Sequence, residues 1–281
     1  MDDAQQLRYS RHLLLDDWPE AAQKRVLAAH AVVIGAGGLG APALLYLASA
    51  GVGRITVIDP DTVELSNLQR QVAHSTERIG WTKVDSARAA MQAINPGVQV
   101  QAVAQAADEA LLAAWLPQAD VVLDCTDTFA IRQLINRQAW HAGVPLVSAS
   151  ALRWDGQISV FDPRQPDSPC YACLFPPDAP PEETRCALLG VFAPVVGLMG
   201  VMQAGEALKL LAGQSLPRAD SNSNSNSSSN SNSNGRSDDS DVTLRGHTSL
   251  AGQLLMLDGR DWSWTRLRAK PDPACPVCGP R

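Results

Sequence analysis

The chain has 281 residues, of which 45% are hydrophobic and 19% are charged, and its formal net charge is −6. This composition is typical of a globular protein that forms one large α/β domain or two small ones. The negative charge and the lack of a Lys/Arg-rich run argue against nucleic acid as a partner.

The N-terminal segment is predicted to form two short helices. Residues 5–29 carry apolar side chains at helical spacing, and Pro19 marks a break between the two halves. Arg8 and Arg11 lie one turn apart, a pattern that most often indicates only a solvated basic face. The acidic, polar start differs from a signal peptide, and no apolar run reaches the ~20 residues of a membrane span. We therefore expect a cytoplasmic protein with no membrane segment.

A β-α-β unit follows. The apolar residues 31–34 stop at a glycine-rich turn, residues 35–40, after which a helical pattern runs to residue 50 and a second strand, residues 54–58, ends in Asp59. Glycines let the backbone approach a ligand phosphate, and a helix N-terminus supplies free N–H groups. The Asp59 carboxylate is placed to accept hydrogen bonds from a ribose. The unit predicts a nucleotide site, but it does not distinguish a redox dinucleotide from ATP.

The next segment adds polar and basic side chains. Residues 60–71 form a polar connection that contains Asn67 and Arg70, and Lys83 then begins a helical pattern that ends near Ile94. A lysine in the first turn opposes the helix dipole, so this position favours an anionic partner. The alternative is an ordinary solvated lysine.

Further strand and helix patterns alternate along the chain, and one strand, residues 120–124, runs into Cys125 and Asp127. Ligands of open α/β sheets collect at the carboxyl ends of the strands, so Asp124 and Asp127 are candidates for catalysis or Mg²⁺ binding. Asp127 also fits a helix N-cap, and Cys125 fits a small buried residue. The pattern predicts a Rossmann-like, doubly wound α/β sheet. We expect it to be mainly parallel, with antiparallel C-terminal strands and a closing hairpin around residues 258–259.

Two C-x-x-C pairs stand out among the six cysteines. Their number and spacing suit a tetrahedral structural Zn²⁺, which would attach the C-terminal tail to the loop after the sheet. Disulfides within each pair are the alternative, and a cytoplasmic location argues against them. The predicted ligands are Cys170, Cys173, Cys275 and Cys278.

We expect a single domain over residues 1–281, with a linker at residues 213–250. Within this linker, residues 221–234 are only Ser and Asn, and such a tract is expected to be disordered.

Several of these motifs together resemble the ThiF/MoeB (HesA/MoeB/ThiF) family. These proteins are bacterial relatives of ubiquitin-activating enzymes, and they adenylate the C-terminal glycine of a ubiquitin-like sulfur-carrier protein. The resemblance covers nearly the whole chain except the Ser/Asn tract, and its most specific part is the Ser-Asn-Leu-Gln-Arg-Gln run at residues 66–71. The family usually has Asn after Cys-Thr-Asp, where this chain has Thr128. The regions around residues 175–177, Cys186 and residues 257–260 resemble thiamine-pathway members more than molybdopterin-pathway members.

The resemblance implies ATP and Mg²⁺ as cofactors, a homodimer, and a role for each matching residue. Arg70 and Lys83 would neutralise the triphosphate, and Asp127 would bind Mg²⁺. Asp59 would bind the ribose, Asn67 would bind a phosphate or ribose oxygen, and the amides of Gly37 and Gly38 would lie against adenosine. Arg11 would reach the phosphates of the ATP bound to the other subunit of the dimer.

The implied partners are a ubiquitin-like carrier that ends in Gly-Gly and a separate sulfur donor such as a cysteine desulfurase. Cys186, beside Arg185, would be a sulfur-relay or acyl-accepting thiol, against the alternative of an incidental cysteine. The thiamine pathway is favoured and the molybdenum cofactor pathway is the alternative. An NAD- or FAD-dependent oxidoreductase, or a non-catalytic zinc-containing scaffold, would leave Arg70 and Lys83 unexplained.

Overall fold

The computed structural model of the chain describes residues 1–179, 189–213 and 249–279. Cys186 and the Ser/Asn tract lie outside these described residues, as does nearly all of the predicted linker. No helix within the described ranges is long and apolar enough to cross a membrane.

Two helices precede the sheet, as predicted, and they are α1 (Asp3–Leu13) and α2 (Glu20–Ala28). The side chain of Asp2 caps α1 by accepting a hydrogen bond from the backbone N–H of Gln5. Pro19 occupies the N-cap position of α2, where its missing N–H costs no helical hydrogen bond.

Eight strands form one sheet. They are β1 (His30–Ile34), β2 (Arg54–Ile58), β3 (Gln99–Val103), β4 (Val121–Asp124), β5 (Leu146–Leu152), β6 (Asp155–Phe161), β7 (Gln253–Asp258) and β8 (Ser263–Arg268). The remaining α-helices of the described residues are α3 (Gly40–Ala50), α4 (Lys83–Ile94), α5 (Glu109–Trp115), α6 (Phe129–Ala142), α7 (Tyr171–Leu174) and α8 (Ala193–Leu211).

The strand order is β3-β2-β1-β4-β5-β6-β7-β8. The first five strands in this order are parallel, and β6, β7 and β8 join by antiparallel pairing. The predicted mainly parallel sheet with antiparallel C-terminal strands is therefore confirmed. After β1, the chain adds β2 and β3 on one side of β1 and then adds β4 and β5 on the other side. The direction in which strands are added therefore reverses between β1 and β4. Ligands bind at such a reversal in open α/β sheets.

Helices cover both faces of the sheet, and β1 shows how the sequence specifies this. Its side chains are fully buried and alternate between two cores. Ala31 and Val33 belong to a core that also contains residues of α3, α4 and α8. Val32 and Ile34 belong to a second core that contains residues of α5 and α6. The sequence of a strand that is covered on both faces is typically a continuous apolar run, and residues 31–34 have this pattern.

The predicted hairpin at the C-terminal end of the sheet is β7–β8. Its pairs run from Gln253 opposite Arg268 to Asp258 opposite Ser263. Gly259 lies at the start of the turn and its N–H donates to the carbonyl of Trp154. This contact ties the hairpin turn to the turn between β5 and β6.

Candidate functional site

The glycine-rich turn lies at the carboxyl end of β1 and approaches its neighbours closely. Gly35 has φ +97°, and a Cβ there would lie 2.6 Å from the carbonyl oxygen of Cys125. A Cβ at Gly38 would lie 2.6 Å from Cγ1 of Val196 in α8 and 3.5 Å from Cγ of Arg70. The turn therefore sits between the segment that follows β4, the start of α8 and the Arg70 side chain. Glycine is needed here because a side chain would fill this space.

The turn also presents free backbone donors. Among the described residues, the N–H groups of Gly37 and Gly38 donate to no protein acceptor. They precede α3, whose N-terminus adds a positive dipole end. This arrangement suits a nucleotide, whose anionic oxygens need donors that come close without a side chain in between.

Asp59 follows β2 and is buried, with 5% of its surface exposed. Its Oδ2 accepts a hydrogen bond of 2.7 Å from the N–H of Ala36, and its Oδ1 accepts one of 2.9 Å from the N–H of Asp61. Each carboxylate oxygen keeps a second lone pair, so the group remains able to accept from ribose hydroxyls. The two backbone donors fix its orientation against the glycine-rich turn.

Lys83 is the first residue of α4, as predicted, and its side chain is only 9% exposed. Its Nζ lies 2.7 Å from Oδ2 of Asp61, a carboxylate whose side chain is 62% exposed. Within the described residues, Lys83 is therefore paired with a carboxylate of its own chain. Because Asp61 also binds Asp59 through its N–H, the segment after β2 links two of the predicted nucleotide ligands.

Arg70 and Asn67 lie on the connection that begins with a short 3-10 helix, Leu65–Asn67. Arg70 is partly exposed, and its guanidinium donates to the carbonyl of Ser66 at 3.2 Å, which leaves most of its N–H groups for a ligand. Asn67 accepts from the N–H of Glu64 at 3.1 Å. Next to Arg70, Gln71 is buried, and its Oε1 has no hydrogen-bond partner in the described part of the chain.

The structure separates the two acidic candidates at the carboxyl end of β4. Asp124 is fully buried, and its carboxylate accepts from Thr126 N–H at 3.0 Å, Thr126 Oγ1 at 2.6 Å and Ser148 Oγ at 3.1 Å. Asp127 is exposed, and its carboxylate accepts no hydrogen bond from a described residue. The N-cap of α6 is Thr128, so the N-cap role considered for Asp127 is not observed. Asp124 thus stabilises the loop, and only Asp127 is available to a cation.

Arg11 does not join the other candidates in its own chain. It lies on α1, whose Tyr9 contacts Gly51 after the end of α3 and accepts a hydrogen bond of 2.9 Å from Asn95 after the end of α4. Both contacts lie at the C-terminal ends of α3 and α4, whereas the glycine-rich turn and Lys83 lie at the N-terminal ends of these helices. Any role of Arg11 at this site would have to come from a second subunit.

The four predicted zinc ligands form one cluster. Their sulfur atoms all lie within 4.8 Å of one another, with 3.5 Å between Cys170 and Cys275 and 3.2 Å between Cys173 and Cys278. Zn–S bonds of 2.3 Å in a tetrahedron require sulfur separations of about 3.8 Å. The cysteines fit a tetrahedral metal site that joins α7 to the C-terminal tail.

Neighbouring groups support thiolate ligands in this cluster. The N–H of Asp272 points at Sγ of Cys173 from 3.4 Å, and Asn136 Nδ2 lies 3.6 Å from Sγ of Cys170. The hydrogen bond shared with Cys170 lowers the pKa of Cys173 to about 5, while that bond and burial raise the pKa of Cys170. Four thiolates this close together repel one another, so a bound cation is required to hold them.

Cys125 is a buried small residue, as the simpler interpretation predicted. Its Sγ lies 3.4 Å from Oε1 of Gln203, and burial raises the pKa of its thiol far above the usual range. A thiol in this state is not a nucleophile.

Sequence reasoning missed three residues that shape the site, namely Asp61, Gln71 and His74. The Asp-Pro-Asp spacing after β2 was the only available signal for Asp61. His74 Nε2 lies 2.9 Å from the carbonyl oxygen of Ala36, and no local pattern indicates a contact between residues 38 positions apart.

Known proteins resemble the chain over nearly its whole length. The sequence model of the ThiF family matches residues 9–277. The Escherichia coli sulfur carrier protein ThiS adenylyltransferase is 39% identical over 279 residues, which cover 99% of this chain and 97% of that protein. The Escherichia coli molybdopterin-synthase adenylyltransferase is 38% identical over 282 residues, which cover 99% of this chain and 98% of that protein.

The fold comparison agrees. The crystal structure of Escherichia coli MccB with ATP superposes with a TM-score of 0.74 at 22% identity, covering 97% of this chain and 74% of that one. The names of the two sequence relatives confirm the predicted enzyme class, an adenylyltransferase. With a family match that spans the site, the sheet and the cysteine cluster, the chain belongs to the ThiF family.

Proposed function

We propose that this protein adenylates the C-terminal glycine of a ubiquitin-like sulfur-carrier protein. The observation that carries the proposal is the meeting of free Gly37 and Gly38 N–H groups, Asp59, Lys83 and Arg70 at the carboxyl edge of one sheet. This edge supplies positive charge for a triphosphate and a fixed carboxylate for a ribose. The substrates named for the two close relatives, the carrier ThiS and molybdopterin synthase, support a carrier protein as the second substrate.

The reaction needs positive charge because both reactants are anions. A carboxylate oxygen of the carrier attacks the α-phosphorus of ATP, the bond from that phosphorus to the bridging oxygen breaks, and pyrophosphate leaves with the bonding electrons. Arg70 and Lys83 would stabilise the charge on the phosphates, and the amides of Gly37 and Gly38 would hold the nucleotide in line. Asp59 would fix the ribose, and Asn67 would orient an adjacent phosphate or ribose oxygen.

Asp127 fits a Mg²⁺ ligand because it is an exposed carboxylate at the same edge whose oxygens are free of protein donors in the described residues. A bound Mg²⁺ would neutralise the leaving pyrophosphate.

The exchange of labelled pyrophosphate into ATP tests this function against its alternatives. An adenylyltransferase exchanges label only when a carrier ending in Gly-Gly and Mg²⁺ are present. An oxidoreductase or a non-catalytic scaffold gives no exchange under any of these conditions. A carrier that lacks its last glycine is the matched control, because it keeps the docking surface while its terminal carboxylate is set back by one residue from the α-phosphorus.

We further propose that Arg11 acts across a homodimer. The position of α1 far from the site of its own chain supports this arrangement. Arg11→Ala and Asp127→Ala would each be inactive alone, but mixed dimers contain one site with both residues intact. Mixing and refolding equal amounts should restore about one quarter of the wild-type exchange, because half of the dimers are mixed. No recovery in proven mixed dimers would contradict a role for Arg11 in trans.

The favoured pathway is thiamine biosynthesis. The molybdenum cofactor pathway stays as the alternative, because relatives from both pathways match this chain almost equally well. Comparing kcat/KM for a thiamine-type and a molybdopterin-type carrier separates them. The carrier with the higher value identifies the pathway.

Cys186 would serve as the thiol that receives the activated carrier or relays its sulfur. In the Cys186→Ser variant, adenylation should persist while thiocarboxylate formation with a cysteine desulfurase falls. An unchanged thiocarboxylate yield would remove Cys186 from the mechanism.

A further inference from the structure

The strongest unexplained feature near the site is a buried histidine that contacts the glycine-rich turn. His74 is 8% exposed and lies between two elements. Its Nε2 lies 2.9 Å from the carbonyl oxygen of Ala36, and its Nδ1 lies 2.9 Å from the hydroxyl of Ser86 in α4.

The two contacts define the protonation of the ring. A carbonyl oxygen only accepts hydrogen bonds, so Nε2 must carry the proton that is donated to Ala36. Nδ1 then accepts from the Ser86 hydroxyl. Burial is the largest influence on the pKa of His74 and lowers it, and the nearby charges of Lys83 and Arg78 act in the same direction. The hydrogen bond to the Ala36 carbonyl and the charge of Asp59 oppose them without reversing the shift. The ring is therefore neutral near pH 7 with its proton on Nε2.

The Ala36 carbonyl belongs to the same peptide unit as the N–H of Gly37. The peptide is planar and trans, so its C=O and N–H point in opposite directions. A donor that fixes the Ala36 carbonyl on one side thereby aims the Gly37 N–H to the other side. The preceding peptide is fixed as well, because the Ala36 N–H donates to Asp59 at 2.7 Å. The turn is thus held at consecutive peptides by a carboxylate and an imidazole.

We infer that His74 is a positioning residue that aims the Gly37 N–H at an oxygen of the bound nucleotide. A hydrogen bond at the carbonyl also polarises the peptide, which makes its N–H a stronger donor. The Gly37 N–H has no acceptor among the described residues, so it is available to such an oxygen. The inference rests on the proposed function only in taking a nucleotide as the ligand.

A matched pair of substitutions isolates the Nε2 donor. In His74→Gln the side-chain amide nitrogen occupies nearly the position of Nε2 and can still donate to Ala36. In His74→Asn the shorter side chain can accept from Ser86 but does not reach Ala36. Both variants remove the ring and each keeps one of its two hydrogen bonds, so they differ by one methylene group and in which contact is kept; only His74→Gln retains the donor to Ala36.

The experiment is calorimetric binding of a non-hydrolysable ATP analogue to the full-length protein without a carrier, with Tm measured in parallel. We expect His74→Asn to weaken binding about tenfold, and His74→Gln to stay within about threefold of wild type, at similar Tm for the two variants. The amide resonance of Gly37 should shift on nucleotide binding in wild type and His74→Gln, and much less in His74→Asn.

Equal binding by the two variants, or a loss that follows Tm alone, would overturn the inference and leave the proposed function intact. Absence of nucleotide binding by the wild-type protein would overturn both. A wild-type protein that binds the nucleotide but shows no carrier-dependent exchange would contradict only the proposed function.

Discussion

The buried ammonium of Lys83 is held 2.7 Å from the carboxylate of Asp61, which is itself largely exposed. The pair is asymmetric in its surroundings, because Lys83 has little contact with water and Asp61 has much. Under the proposed function, an incoming triphosphate would replace Asp61 as the partner of Lys83, since the released carboxylate would be solvated at once. The ammonium of Lys83 would then be available to the phosphates of a nucleotide, because its partner within the protein can be displaced.

Replacing Lys83 by Gln should weaken ATP binding about tenfold or more, because a charged hydrogen bond to phosphate is lost. Stability should change little, since the Asp61 carboxylate left behind is exposed to water. ATP affinity and Tm of the variant are the measurements. Lys24→Gln is the matched control, because Lys24 forms a surface ion pair of 3.0 Å with Glu20 on α2, away from the site. Equal ATP affinity in both variants would contradict the role of Lys83.

The two aspartates after β4 should respond in opposite ways to the same substitution. Asp127→Asn should lower pyrophosphate exchange by about 100-fold or more with an unchanged Tm, because its carboxylate is exposed and unbonded to described residues. Asp124→Asn should cost about 1–3 kcal/mol of stability, because its buried carboxylate accepts from Thr126 and Ser148. Chemical denaturation and exchange assays of both variants check this. Normal exchange by Asp127→Asn would exclude it as a metal ligand.

Zinc should be present at one atom per chain and should stabilise the fold. A metal bound by Cys170 and Cys275 closes a loop between residues 105 positions apart. By the loop-closure estimate, such a cross-link contributes up to about 4–5 kcal/mol, which corresponds to a Tm difference of roughly 10 °C. Cys278→Ser should lose zinc and this stability, whereas Cys186→Ser should keep both. Metal analysis measures the zinc content of each variant, and calorimetry measures its Tm. Zinc-free protein with an unchanged Tm would refute the structural role of the metal.

Stability should fall as the solution becomes mildly acidic. Burial lowers the pKa of His74 and His30 below the usual value of 6.5. The unfolded chain therefore binds more protons than the folded one just below pH 6.5. The stabilising contribution is fully present above pH 6.5 and is lost as the pH falls toward the folded-state values, by at most about 1.4 kcal/mol per pH unit for each histidine.

Denaturation of wild type and His74→Gln between pH 5 and 7.5 tests this linkage. The variant should show a smaller decline of the free energy of unfolding, because His74 no longer titrates and His30 alone of this pair contributes. An identical slope in His74→Gln would show that His74 does not contribute.

Local patterns were sufficient for much of the fold and for part of the site. The β-α-β unit, the start of α4 at Lys83 and the β7–β8 hairpin follow from periodicity and turn residues, and the zinc ligands follow from two short spacings. Local patterns alone left both Asp124 and Asp127 as candidates, and only the family resemblance favoured Asp127, because burial and the partner on β5 decide their roles. The contact of His74 with Ala36 depends on how a long connection folds back, which no local pattern encodes.

The most direct test of the central claim follows the α-phosphate of ATP in a single turnover. With ATP labelled at the α-phosphorus, the label should move to the C-terminal glycine of the carrier as an acyl-adenylate, and pyrophosphate should appear in equal amount. ATP labelled at the γ-phosphorus should leave no label on the carrier. Label on the carrier from the γ-position, or none from the α-position while ATP is consumed, would contradict adenylation as the function of this protein.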